Sequence, residues 1–214
     1  MFLIKGFSHN DYSIVKTSLE MKKGFLIISI ILLANSIIFS QEQSSGTIEI
    51  IPNIGYTASS VIGENSPQTD DRLSYQVGII GDYYFNGRWS IRTGISKYNM
   101  GAESYGSKLN LSYLNIPIAA NWHFGKTRKW NLNFGLSSGL LLSGDVDGRD
   151  VKNDYRSFQF GLNYGIGYKI RITENIRILI DHKGVIGLTP ILKSNSPIWL
   201  NVSSGYNLGW VFLF

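Results

Sequence analysis

The chain has no cysteine among its 214 residues, and only three histidines and five prolines. Without cysteine there are no disulfides, no thiolate metal sites and no lipid-modified cysteine at a cleaved N-terminus. Metal-spaced histidine sets, glycine-rich phosphate loops and haem motifs are also missing, so the sequence predicts no cofactor. Charged residues make up 16% of the chain and its net charge is +5. That excess is too mild to argue for nucleic acid. Past residue 41, no stretch repeats its apolar residues at the helical period of 3.6.

What is present begins with an export signal. Met21-Lys22-Lys23 is a short basic start, and residues 24–39 are apolar except for Ser29, Asn35 and Ser36. Ser40-Gln41 then places a small residue before a polar one. This is the pattern of a secretory signal peptide at 21–40. The run is shorter than the ~20 apolar residues of a spanning helix. Residues 1–20 stand ahead of a signal that has its own Met, so they are expected to be a start assigned too far upstream, without structure. The mature chain is then 41–214, a single domain.

That domain alternates. Its last residues run Ser204-Gly205-Tyr206-Asn207-Leu208-Gly209-Trp210-Val211-Phe212-Leu213-Phe214. Tyr206, Leu208, Trp210, Phe212 and Phe214 share one face of a strand, because side chains alternate at period 2. A row of large apolar residues ending on a C-terminal Phe has the form of a closing strand in a membrane barrel. Seven further segments have the same period, at about 47–57, 72–85, 88–99, 108–124, 130–143, 155–172 and 176–192. The eighth runs from after Pro197 to Phe214. Most reach the ~10 residues that cross a bilayer as a tilted strand. Pro52 suits an edge, a bend or a bulge. In the fourth segment Leu109, Leu111 and Tyr113 share one face, whereas Leu114, Ile116, Ile118, Ala120, Trp122 and Phe124 share the other. This predicts a phase-switching bulge near residues 113–117.

The connections alternate too. Those at Asn86-Gly87, 125–129 and 173–175 are short; those at 58–71, 101–107, 144–154 and 193–196 are mostly longer and polar. Asn86-Gly87 is a strong hairpin signal. The pattern predicts an all-β, eight-stranded antiparallel up-and-down transmembrane β-barrel with short periplasmic turns, longer outer loops and both termini in the periplasm. A soluble ligand carrier of the same strand count would hold its apolar rows inside. Trp89, Trp130, Phe134, Phe158, Phe160, Tyr164, Trp210 and Phe212 are too bulky to fill so narrow an interior, while the opposite face is rich in Gly and Asn. The large residues therefore face lipid, in the outer membrane of a Gram-negative bacterium.

The fourth segment carries a resemblance. It reads Leu111-Ser112-Tyr113-Leu114-Asn115-Ile116-Pro117-Ile118. This aromatic-Leu-polar-Ile-Pro-Ile run resembles the PorT-like outer-membrane β-barrel domain common in Bacteroidota. The signal peptide ending Phe39-Ser40-Gln41 is similar to exports of that group. The resemblance spans 41–214 and implies a small outer-membrane barrel, some members being tied to protein secretion and gliding.

Glu49, Asp82, Arg92, Lys169, Arg171, Arg177, Asp181 and Lys183 fall on the inward phase and are expected to pair as a lumen charge network. Trp89, Trp122 and Trp130 flank short turns, where rings suit the headgroup level as interface anchors. Asp145, Asp147 and Asp150 resemble part of a calcium loop, without its terminal Glu or flanking helices, and are read mainly as an acidic, solvated loop. Asp181 and His182 are adjacent, so they point to opposite faces and cannot pair in catalysis. His123 shares its face with Asn121. No catalytic residues are assigned and the protein is expected not to be an enzyme. Expected partners are outer-membrane lipid, the barrel-assembly machinery during insertion, and an envelope or secretion protein. The role is read as structural or binding through the outer loops, with a secretion accessory or narrow porin-like pore as the alternative.

Overall fold

The computed structural model describes residues 43–63, 70–194 and 197–214. The segments 1–20 and 21–40 lie outside the described residues. Ten strands follow in chain order: β1 (Ile48–Gly63), β2 (Arg72–Asn86), β3 (Trp89–Met100), β4 (Glu103–Ser104), β5 (Ser107–Phe124), β6 (Trp130–Val146), β7 (Arg149–Asp150), β8 (Phe158–Arg171), β9 (Ile176–Gly187) and β10 (Trp199–Leu213). β4 and β7 are two-residue extensions; the other eight form the wall. Each wall strand runs antiparallel to the next, and β1 pairs with β10 from Glu49↔Leu213 to Gly63↔Trp199. The sheet thus closes on itself as an eight-stranded barrel. Closure leaves no strand edge, which is the condition for a sheet to lie in hydrocarbon.

The period-2 alternation decides which side of the wall each residue takes. Tyr75 is 70% exposed and Leu136 60%, on the outside, whereas Glu49, Asn131 and Asn201 inside are fully buried. Large apolar residues outside and polar ones inside reverse the order of a water-soluble barrel. Small residues inside let the wall curl tightly. A Cβ on Gly135 would collide with the Ile118 carbonyl and the Ala119 side chain.

Three local expectations are corrected. First, β5 does not change phase. Leu109, Leu111 and Tyr113 stay on the inward face with Asn115, Asn121 and His123, and Leu111 and Tyr113 are almost wholly buried. A register irregularity does fall at Ser112/Tyr113 opposite β6. It absorbs Leu142 on the β6 side and leaves the faces of β5 unchanged. These apolar residues are core, not lipid contacts.

Second, Pro52 stands inside β1, paired with Ile79. On the other side the ladder skips Ile51 and Pro52 and resumes at Asn53↔Gly209 with no slip from Ile50↔Phe212. Third, the hairpin at Asn86 is centred one residue later. Asn86 pairs with Trp89, and its side-chain oxygen accepts hydrogen bonds from the backbone N–H groups of Arg88 (2.8 Å) and Trp89 (2.9 Å). The Asn side chain supplies the turn's acceptor, as in an Asx-turn.

β1 also runs past its expected end at Thr57 to Gly63. Ala58, Ser59 and Ser60 carry little apolar contrast, so alternation cannot be read from them. β8 and β9 are shorter than expected, starting at Phe158 and ending at Gly187.

Candidate functional site

The lumen has two differently built ends. The end with the short turns also carries both termini of the barrel, and there the inward phase brings ionic residues together. Arg92 grips Asp82 through two hydrogen bonds of 2.8 Å, from Nε and Nη2 to the two carboxylate oxygens. Its Nη1 lies 3.8 Å from Asp181. Lys169 pairs with Glu49, lies 3.4 Å from Asp82 and donates to the Tyr84 hydroxyl at 3.0 Å. Arg177 approaches Glu49 at 3.5 Å, and Gln43 donates to the same carboxylate at 2.7 Å. Asn121 donates to Asp82 at 3.1 Å. Burying a charge is costly unless it is paired, and each of these faces an opposite charge. Asp181 Oδ1 and Arg177 Nε have no hydrogen-bond partner among the described residues. Ile51, Ile80, Leu179 and Val211 close the gaps around them.

Of the eight expected lumen charges, six therefore join one network. Arg171 stands at the rim instead, 3.9 Å from Glu174, with its Nε donating to the Thr173 carbonyl at 3.2 Å. Lys183 stands apart, facing a cavity of about 50 Å³ in the middle of the barrel. Asn115, Asn133 and Asn163 also line that cavity, each with a buried amide atom lacking a protein partner among the described residues. These unpaired amides and this volume suit a few water molecules.

Tyr84 and His123 were not singled out as members of this cluster. Their rings stack with centroids 4.6 Å apart, and the Ser90 hydroxyl lies 2.9 Å from His123 Nε2. A Ser–His contact is the beginning of a nucleophile–base pair. Here Nδ1 faces the Tyr84 hydroxyl at 3.4 Å, not a carboxylate, and Ser90 and His123 are sealed from any substrate. His182 takes the lipid face against Tyr206 while Asp181 points inside.

The loop end is mainly apolar, with Ser59, Ser112, Gln159 and Asn201 as buried polar residues beside the apolar ones. Val61, Tyr98, Met100, Ala102, Leu111, Tyr113, Leu141, Tyr155 and Ile191 form one buried cluster. It joins the wall to the long connections, because Ala102, Tyr155 and Ile191 come from the loops. Those loops are themselves paired: Asp70 bridges Glu103, Tyr155 bridges Leu192, and β4 and β7 extend the hairpins of β5 and β6. Two hairpin tips have φ > 0 at both central residues, Tyr105-Gly106 and Asp147-Gly148. This is the type I′ geometry.

The aspartates that resemble a calcium loop belong to the second of these hairpins. Asp147 accepts the Lys108 backbone N–H at 2.8 Å, and that bond, with Ser107, holds its carboxyl below the usual carboxylate range. Asp145 accepts from Asn110 at 2.9 Å, and Asp150 from the Lys152 N–H at 2.9 Å. Among the described residues no three acidic or histidine side chains converge as a metal site would require. Asp-Gly between alternating strands was a legible hairpin signal.

Outside the barrel, at the short-turn end, the rings form a ladder. Centroids step from Trp89 to Trp122 (6.3 Å), to Phe124 (5.0 Å), to Trp130 (6.2 Å) and to Tyr168 (4.8 Å). The register places Trp89 opposite Trp122 and Phe124 opposite Trp130, so adjacent strands line up the row.

A closed wall with lipid-facing apolar rows, an ionic lumen and a ring of aromatics at one rim defines a small outer-membrane β-barrel. The chain belongs to the outer membrane protein beta-barrel domain family, whose model matches residues 39–193. No curated protein matches the sequence. Among solved structures the chain is similar to Neisserial surface protein A, with 15% identity over 79% of this chain and 99% of that one and a TM-score of 0.53. It is also similar to the outer membrane protein OprG from Pseudomonas aeruginosa, with 13% identity over 81% and 98% of the two chains and a TM-score of 0.50. At such identities the likeness concerns the fold.

Proposed function

We propose that this protein is a closed, non-enzymatic barrel that serves the cell envelope through its loop end, with that end outward and both termini in the periplasm. The observation that carries the reading is the double seal of the lumen. A passage must cross both the ion-paired layer around Asp82 and Arg92 and the apolar layer around Met100 and Leu111. Both layers are made of buried side chains among the described residues, which supports a lumen closed to ions. The loop end is a paired, packed platform, suited to holding a binding surface in one shape. At its tip Tyr105 is 97% exposed with φ at 48°, a backbone conformation unfavourable for a bulky residue. An exposed ring on a hydrogen-bonded hairpin is the kind of anchor that interfaces use.

The partners that fit are outer-membrane lipid, the assembly machinery during insertion, and an envelope protein docking on the loops. A second reading, a secretion accessory of the PorT-like kind, draws on the Leu111–Ile118 run, whose Leu111 and Tyr113 build the apolar seal. Planar-bilayer recording of the purified barrel tests the main reading. No steady single-channel current is expected; a stable open conductance would refute the sealed lumen. Capture of secretion components from cell envelopes, lost on Tyr105→Ala, would favour the second reading.

A further inference from the structure

The outer wall has a dent where β1, β2 and β3 meet. The neighbouring outward positions Pro52, Gly81 and Thr93 are small for this face, and Gly81 pairs with Thr93. Ile50, Ile54, Val77, Ile79, Ile95 and Trp210 rise around them as the groove's sides. Gly81 is not small because the wall requires it: a Cβ there would meet nothing nearer than the Glu49 carbonyl oxygen at 3.8 Å. The groove is a missing side chain over sound backbone.

One end of the groove carries Lys97. Its neighbours across the ladder are Val77 and Leu114, so an ammonium projects from an apolar stretch of wall. A lysine near the middle of the lipid face is strongly disfavoured, and the penalty nearly vanishes at the headgroup boundary. Lys97 is eight residues along β3 from Trp89 in the rim ladder. At ~3.3 Å per residue and a tilt near 40°, that is roughly 20 Å up the barrel, close to the far edge of the apolar band. The flexible stem then lifts the charge into the headgroups. From Lys97 the groove runs down β3 past Ile95 to Thr93, towards the bilayer centre.

We infer that the groove seats one acyl chain of an anionic, phosphate-bearing lipid in the leaflet at the loop end, with the phosphate held by Lys97. A headgroup charge at the boundary and a chain pointing inward match the order of ammonium and groove. Among the described residues no acidic side chain is within ion-pair reach of Lys97. The inference rests on the membrane placement proposed above, but not on which leaflet is outermost.

The test is native mass spectrometry of the detergent-purified protein given equal amounts of phosphatidylglycerol and phosphatidylcholine with identical chains. One tightly held phosphatidylglycerol is expected, preferred by about fivefold, the factor for one lysine near an anionic surface. Lys97→Met should abolish the preference and Lys97→Arg should keep it. Gly81→Leu should lower retention of both lipids several-fold while the barrel stays folded by circular dichroism. Equal retention of the two lipids by the wild-type protein overturns the inference, as does a preference that survives Lys97→Met or a Gly81→Leu variant that binds as before. Release of the lipid by millimolar inorganic phosphate would show a headgroup site without a chain groove, which also overturns it. A sealed lumen in bilayer recordings would be unaffected by any of these results.

Discussion

The two ends of the lumen solve the same problem with opposite chemistry. At the short-turn end the inward residues are charged, and Arg92, Lys169 and Arg177 hold Glu49, Asp82 and Asp181 in one network. At the loop end they are mainly apolar, and Met100, Leu111, Tyr113 and Ile191 exclude water by packing. The difference follows from what surrounds each end. The charges of the first layer all come from wall strands, so they sit at fixed registers such as Asp82↔Arg92. The apolar layer includes residues from the loops, and a non-directional hydrophobic contact tolerates their irregular approach.

The sharpest way to break this contrast is to remove one charge. Arg92→Met leaves Asp82 and Asp181 without their guanidinium, and a loss of about 3–5 kcal/mol is expected from a broken buried pair. Urea unfolding in lipid vesicles measures it. Leu111→Ala should cost less, about 2–4 kcal/mol, because a cavity replaces packing and the loops can settle into it. The loss should appear first as faster proteolysis of the loops at 144–157. If Leu111→Ala costs more than Arg92→Met, the charged layer is not the stronger seal. Neither variant alone should conduct, since the other layer still closes the barrel.

A smaller effect tests the rim ladder. Trp122→Ala breaks contacts with both Trp89 and Phe124, so about 1–2 kcal/mol is expected, against about 1 kcal/mol for Trp89→Ala, which stands at the end of the row with Trp122 as its ring neighbour there. The smallest effect concerns the exposed hairpin at the loop end. Asp147 has a lowered carboxyl pKa, so its bond to Lys108 is fully present above the ordinary carboxylate range and is lost as pH falls through the lowered value. Protection of the Lys108 amide, taken against its intrinsic exchange rate, should therefore be lost only below the ordinary carboxylate range. In Asp147→Asn, where one oxygen can still accept the N–H, that acid step should vanish.

Much of this was legible in the chain. Alternation located all eight wall strands and gave the inward phase of the charges. The paired rings at Trp89, Trp122 and Trp130 were visible as residues flanking short turns, though not as a stacked row. Where reading failed, the cause was that period 2 assigns a side but not its contents. Leu111 and Tyr113 were assigned by polarity to the lipid side, whereas the barrel packs them inside. The type I′ turn at Asp147-Gly148 was read mainly as a solvated loop with calcium-loop features, because three aspartates weighed more than the strand pattern around them.

The sequence by itself determined the barrel and the side of the wall that most residues take, residues 109–113 of β5 excepted, because side-chain alternation is a property of the single strand. It did not determine which inward residues meet. Asp82 and Arg92 are joined by a neighbouring register, but Glu49 and Lys169 come from strands that do not pair. Only closure of the sheet brings β1 and β8 face to face across the lumen. The same closure turned ordinary leucines and tyrosines into a plug, since it brings Leu111 and Tyr113 of β5 into one cluster with Val61, Met100, Leu141 and Ile191 of other segments.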